Sequence, residues 1–341
     1  MKILVTGGAG FVGSHVAEYY SKGNEVVSFD NLSRGTLLKK DIKEKQQNVS
    51  FLKSIGVKNV LGDVRDFDAL SKAAKGCDII FHLAAQTAVT TSIIDPRPDF
   101  ETNALGTFNV MEAARKNDVK NVIYASTNKV YGENVNAVPL EEKKTRYSFK
   151  EYKNGIPENF SIDHCEHTPY GVSKLTGDLY AQDYGKLYGI KTGIFRMSCI
   201  YGTRQFGLED QGWVAWFAIA AILNKKITIY GDGKQVRDVL YVTDLVKLYD
   251  AFLKSKKTQG VYNAGGGPNN TISLVEYLDM LKEQLEIDIE PSFSNWRPSD
   301  QKVFISDISK AKKELGWEPT ISPKEGVKKL VDWIRANKNL L

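Results

Sequence analysis

Apolar residues gather along this chain into short, almost continuous runs. They are separated by longer stretches in which apolar positions recur every three or four residues. Residues 2–6, 25–29, 57–61, 78–85, 119–125 and 261–264 form such runs, the signature of strands buried on both faces. Residues 100–116, and the stretch from Tyr170 past Tyr184, carry the helical period. Residues 37–57 are polar and lysine-rich with no clean period, and read as a surface excursion. The tail from 305 to 333 reads as helices, with Leu315-Gly316-Trp317 as a helix end. Strands alternating with helices at short spacing predict an α/β fold with a doubly wound parallel sheet, which takes ligands at the carboxyl ends of its strands.

The first strand runs directly into Gly7-Gly8-Ala9-Gly10-Phe11-Val12-Gly13 and then into a helical stretch. Glycines at 7, 10 and 13 suit a tight turn, close approach to a pyrophosphate and close packing of helix on strand, and the helix N-terminus offers free N–H groups to phosphate. The second strand ends at Asp30, where a carboxylate accepts from the adenosine ribose hydroxyls. Together these are the marks of a Rossmann-type dinucleotide site. Asp30 argues for NAD over NADP, because it repels a 2'-phosphate; Arg34, four residues on, argues the other way. Asp63 is placed to accept from the adenine amino group, while the neighbouring acids suit a helix N-cap equally well. His82 lies inside the 78–85 run and reads as a core histidine.

Length and composition narrow the class. At 341 residues, 42% hydrophobic and 26% charged, the chain is a globular protein of one large or two modest domains. The division expected is 1–187, rejoined by about 236–265, for the dinucleotide and 188–341 for a smaller C-terminal α/β substrate domain. Cys77, Cys165 and Cys199 form no CxxC or Cys/His cluster, so neither a disulfide framework nor a metal site is expected. The net charge of +5 is mild, and the lysines at 39–45 read as a solvated face rather than a nucleic-acid stripe. The apolar run at 214–223 is too short to span a bilayer, and the first strand leaves no room for a signal peptide. A cytoplasmic protein is expected.

Tyr170 and Lys174 are four apart on one helical face. The spacing recurs at Tyr230 and Lys234, but there it straddles Gly231-Asp232-Gly233, a turn. Thr127 stands at a strand end. A phenol with pKa near 10 needs help to act as a base near neutrality, and a positive charge at about 4 Å in an effective dielectric of 20 supplies about 4 kcal/mol of it. Thr127, Tyr170 and Lys174 therefore suit oxidation of a secondary alcohol, with Thr127 holding the hydroxyl.

With His82-Leu83-Ala84-Ala85 and Arg237-Asp238, these motifs resemble the extended short-chain dehydrogenase/reductase family over essentially the whole chain. The segments 126–132, 211–217 and 233–240 are most similar to its branch of NAD-dependent nucleotide-sugar epimerases that act at C2 of a CDP-linked hexose. The resemblance implies a bound NAD, a transient 2-keto sugar and a homodimer or homotetramer, with helix faces around 100–116 and 175–187 in contact. The alternatives are a 4-epimerase, or a dehydratase or reductase on the same scaffold; a nucleotide-sensing protein without catalysis is disfavoured by the intact Thr127, Tyr170 and Lys174. For the cofactor it implies Gly7, Gly10, Phe11, Val12, Gly13, Asp30, Asn31, Ser33, Arg34, Asp63, Val64, Leu83, Ala84, Ala85, Asn103, Ser126 and Met197 besides Tyr170 and Lys174. For the nucleotide sugar it implies Gln86, Asn128, Lys129, Cys199, Gln205, Glu209, Gln211, Trp213, Arg237, Arg297 and Asp300. Arg237 would pair with the diphosphate, and Arg297 and Asp300 lie at the nucleotide or form a structural ion pair. Cys199 stands where related epimerases often place an Asn, and reads better as a packed thiol. In the family's 4,6-dehydratases an Asp and a Glu follow the threonine; here Asn128 and Lys129 do, which removes the acid and base of elimination.

Overall fold

The computed structural model describes residues 1–37, 44–297 and 299–341; residues 39–43 of the lysine-rich run lie outside them. Among the described residues the chain forms two compact units. The first is Met1–Val130, Thr168–Arg196 and Tyr249–Tyr262; the second is Tyr131–His167, Met197–Leu248 and Asn263–Leu341.

In the first unit, β1 (Lys2–Thr6), β2 (Glu25–Asp30), β3 (Lys58–Leu61), β4 (Ile79–His82) and β5 (Asn121–Thr127) lie in the order β3-β2-β1-β4-β5 and pair in parallel. The sheet continues through Lys191–Met197 and Gln259–Ala264. Ile3, Leu4, Ile80, Phe81, Val122 and Ile123 are fully buried, which is why these strands read as continuous apolar runs. Each such side chain contributes about 1.5–3 kcal/mol. From β1 the chain winds outward to β2 and β3, then crosses back to β4 on the other side. The loops after β1 and β4 therefore flank the switch point at which such sheets bind ligands.

Those loops touch. Gly7 has φ +70°, and a Cβ there would lie 2.7 Å from Ala84 N; a Cβ on Gly13 would lie 2.1 Å from Gly7 O. The glycines thus let α1 (Phe11–Ser21) start hard against the strand end.

Three elements differ from the sequence reading. The 37–57 excursion contains a helix, Glu44–Ser54, anchored by buried Asn48 and Leu52. Its buried face includes a polar residue, Asn48, which donates to Ala9 O at 2.9 Å, so hydropathy hid it. Residues 100–116 are not one helix: Pro96–Phe100 passes through a π-helical turn, Glu101–Leu105, into Gly106–Lys116. And β5 extends to Thr127.

In the second unit, Val236–Tyr241 pairs antiparallel with Thr271–Ser273 and parallel with Val303–Phe304 and Cys199–Tyr201. The apolar run at 214–223 forms the helix Trp213–Ile222, with Val214, Phe217 and Ile219 in the core. Gly316, at φ +65°, ends the helix Ser309–Leu315 as expected. Tyr230 and Lys234 part company: the phenol donates to Glu209 and the ammonium to Glu142. Among the described residues no helix is long and apolar enough to cross a membrane.

Gly13→Ala is expected to lower unfolding free energy by about 1–3 kcal/mol, because the new methyl meets backbone rather than a movable side chain. Gly316→Ala, where a Cβ meets nothing within 4 Å, should cost only the left-handed backbone, about 1 kcal/mol. Denaturant midpoints of the two variants check the difference.

Candidate active site

Thr127 is the last residue of β5. Thr168 caps the long helix Pro169–Tyr188 by accepting from Gly171 N at 3.3 Å, and Pro169 fixes its first turn. That places Tyr170 in the first turn and Lys174 one turn further on. The Thr127 side chain adjoins the Tyr170 phenol and favours its ionised form. Thr127 Oγ1 also donates to Asn128 Oδ1 and accepts from Lys129 N, both at 3.3 Å. Thr127, Tyr170 and Lys174 are all buried.

Their electrostatics depart from the expectation that Lys174 lowers the pKa of Tyr170. Burial pushes Tyr170 up to about 12, opposed by the Thr127 side chain, and the Asp99 charge adds to the rise. Burial likewise pulls Lys174 down to about 7, opposed by Asp99 and Asp178. Desolvation is the largest cause of both shifts. Lys174 Nζ lies 4.3 Å from the centre of the Tyr124 ring and makes no hydrogen bond among the described residues. Tyr124 OH in turn donates to Lys174 O at 3.1 Å.

Several residues expected to touch ligand are committed to the protein. Asn103 Nδ2 donates to Gln86 O, Asp99 Oδ1 and Ser173 Oγ, and its Oδ1 accepts from Gln86 N. Gln86 Nε2 donates to Asp99 and to Ala88 O. Ser126 Oγ donates to Asp178 Oδ2 at 2.7 Å, and Asp178 is ion-paired with Arg196. Asp63 is held by Arg65 and Asn31; burial alone would raise its pKa, but those bonds bring it to about 2. Val64 is buried against Gly106. His82 is the core histidine expected, hydrogen-bonded to Thr6 and Thr107, with burial and then Lys174 lowering it to about 3.

The cofactor cradle is built from what remains. Asp30 Oδ2 accepts from Ala9 N and Oδ1 from Leu32 N, which fixes the carboxylate at the end of β2. Asn31 Oδ1 accepts from Ser33 N, and Arg34 opens a single helical turn, Arg34–Leu37. Phe11 and Val12 occupy the first turn of α1. That helix has no capping side chain at Gly10 and no acid in its first turn, so its N–H groups and partial positive charge are left for an anion. Leu83, Ala84 and Ala85 are half-buried past β4. This uncapped helix and the unbonded Lys174 ammonium fit a dinucleotide carrying phosphates and ribose hydroxyls.

In the second unit Arg237 Nη2 binds Asp300 at 2.7 Å. Arg297 binds Asp210 at 2.9 Å, donates to Glu209 O and stacks 4.0 Å from the Tyr230 ring centre. Arg297 and Asp300 thus take different ionic partners rather than each other. Trp296, Arg297 and Lys302 line a cleft of about 610 Å³, with Asn136 and Pro139 opposite. Gln205 lies on Gly212 and donates to Ile200 O; Gln211 pairs with Leu208 through backbone. Trp213 is edge-on to Tyr277 at 5.3 Å and adjoins Cys199, whose thiol burial pushes up to about 12. Met197 ends its strand. Cys165 does have histidine neighbours in sequence, His164 and His167, but among the described residues no three His, Cys, Asp or Glu side chains converge to hold a metal.

Asp99, Ser173, Asp178, Arg196 and Tyr124 were not singled out by sequence reasoning. Ser173 and Asp178 carried a usable signal, one helical turn from Tyr170 and Lys174; Asp99 carried none.

Comparison with known proteins agrees with this geometry. The chain is 42% identical to the CDP-paratose 2-epimerase of Salmonella typhi, over 98% of this chain and 99% of that one. It superposes on the UDP-glucose 4-epimerase of Thermotoga maritima, solved with UDP-glucose, with a TM-score of 0.82 at 31% identity, over 99% of this chain and 100% of that one. The Thermus thermophilus UDP-glucose 4-epimerase, solved with NAD, gives 0.80 at 31% identity over the same shares. Residues 3–265 match the NAD dependent epimerase/dehydratase family, and the chain belongs to that family.

Proposed function

We propose that this enzyme inverts C2 of a CDP-linked deoxyhexose, most simply CDP-paratose to CDP-tyvelose, through a 2-keto sugar. The observation that carries the reading is the buried cluster of Thr127, Tyr170 and Lys174, with Thr127 adjoining the phenol, followed by Asn128 and Lys129 where elimination would need an acid and a base. The relative at 42% identity supports the choice of carbon and nucleotide.

NAD, when bound, supplies the two-electron oxidant and a second positive charge. Thr127 holds the 2-hydroxyl, and Tyr170 accepts its proton as the carbon is oxidised. Tyr170 returns the proton to the ketone oxygen as the carbon is reduced on its opposite face. With Lys174 in place the phenol stands at about 12, so the phenolate lies about 7 kcal/mol uphill at neutrality. One ammonium therefore does not suffice, which suits a base that works only with its oxidised cofactor in place. Asp30 takes the adenosine ribose and the α1 N-terminus the pyrophosphate. In the second unit Arg237 and Arg297 keep N–H donors for the nucleotide diphosphate beyond those given to Asp300 and Asp210.

Phe108, Leu179, Tyr180 and Leu187 leave an exposed apolar face on the helices Gly106–Lys116 and Pro169–Tyr188. We assign a second copy of the chain to that face, and the cytoplasm, in keeping with three free thiols, as its place of action.

Three outcomes are expected. Tyr170→Phe lowers turnover by about a hundredfold to ten-thousandfold while retaining NAD, read by absorbance of the released cofactor. With CDP-paratose in deuterated water, proton NMR finds no deuterium at the inverted C2; deuterium there sinks the mechanism, and turnover of UDP-glucose instead sinks the substrate. The double variant Phe108→Glu, Leu179→Lys sediments as a smaller species than the parent.

A further inference from the structure

A buried lysine is charged only if something holds the charge there. The groups facing Lys174 come from four elements: Tyr170 and Asp178 on its own helix, His82 on β4, Tyr124 on β5, and Asp99 on the helix Pro96–Phe100. His82 is neutral. Tyr124 offers only its ring face. Asp178 also favours the ammonium, but it shares its charge with Arg196, whose Nε lies 3.1 Å from Oδ2.

Asp99 is different. It is 1% exposed, and among the described residues it makes no ion pair. It accepts instead from three neutral donors: Gln86 Nε2 and Asn103 Nδ2, both at 3.1 Å, and Ser173 Oγ. Burial raises its pKa, but three donated hydrogen bonds favour the carboxylate. The donors lie past β4, in the π-helical turn and between Tyr170 and Lys174, so the carboxylate ties the catalytic helix to the switch-point loop.

We propose that Asp99 is the positioning residue of this site: its unmatched buried charge keeps Lys174 an ammonium, and its bond from Ser173 sets the helix turn that presents Tyr170 and Lys174. The role in turnover rests on the reaction proposed above; the role in holding the charge does not, and is measured without substrate.

The test follows Lys174 in full-length enzyme carrying 13Cε-lysine, its resonance identified by loss in Lys174→Arg, in parallel with the pH dependence of turnover. In Asp99→Asn, Lys174 is expected to titrate at least about one pH unit lower, and the alkaline limb of the rate profile to move the same way, since the active form is the protonated one. Asp99→Glu, which retains the charge, restores both. A resonance that titrates unchanged in Asp99→Asn overturns the proposal; a resonance that shifts while the rate profile stays put upholds the charge assignment and indicts the reaction. Should Asp99→Asn fail to fold, Asp99→Ser, which also removes the charge, is measured in the same way, and a Lys174 resonance that titrates there as in the parent overturns the proposal.

Discussion

An ammonium buried at the ends of the sheet strands constrains the rest of the first unit. Taking a lysine out of water costs several kcal/mol unless charge and polar contacts answer it. The site answers with a ring face, one paired carboxylate and one unpaired carboxylate. The consequences spread through the sheet. Burial first and the Lys174 charge second keep His82 neutral, and a neutral buried imidazole needs one donor and one acceptor. Thr6 on β1 and Thr107 near the start of the helix after the π-helical turn meet that need, at 2.8 and 2.9 Å. The same histidine pairs in register with Thr6, the residue before the glycine loop. Burial and one nearby charge thus act together on the hydrogen bonding at the strand ends where the glycine loop begins.

What the sequence made legible follows from how local each feature is. The parallel strands could be read because both faces are buried, and the glycine loop because backbone at 84 and at 7 excludes any Cβ at Gly7 and Gly13. Thr127, Tyr170 and Lys174 could be singled out as candidates because strand end and helical spacing are written within a few residues. The charge balance among them was not. Whether Lys174 lowers Tyr170 or burial raises it depends on solvent exclusion by the whole unit, and no window of residues records that. Asp99 escaped for the same reason. Its acceptor role depends on Gln86, Asn103 and Ser173, up to 74 positions away. The Glu44–Ser54 helix was missed because polar Asn48 holds one of its buried positions, breaking the apolar period.

The two arginines of the second unit show a related limit. Their type announced phosphate, yet each is already engaged, Arg237 with Asp300 and Arg297 with Asp210 and the Tyr230 ring. A guanidinium carries five donors in a rigid fork, so one bound carboxylate leaves N–H groups facing elsewhere. Holding the fork before ligand arrives removes rotamer entropy from binding, and it also dilutes the positive charge the anion meets. Geometry is gained at the expense of raw attraction, which suits a substrate that must be released with one stereocentre changed and every charge intact.

Inversion places a different demand on a base than elimination does. Across the proposed cycle the net proton change is zero, so Tyr170 begins and ends in the same state. A phenol displaced to about 12 favours the middle of that cycle, when it carries the substrate's proton, and the ammonium of Lys174 favours both ends. The two tendencies oppose each other, and that opposition levels the profile. Dehydration has no such symmetry, because it must expel hydroxide from one carbon and take a proton from its neighbour, with two further groups in opposite ionisation states. Asn128 cannot protonate a leaving oxygen, and Lys129 as an ammonium cannot accept a proton. On the proposed roles, the two positions after Thr127 leave oxidation and return, rather than elimination, as the reaction that suits the tyrosine and lysine.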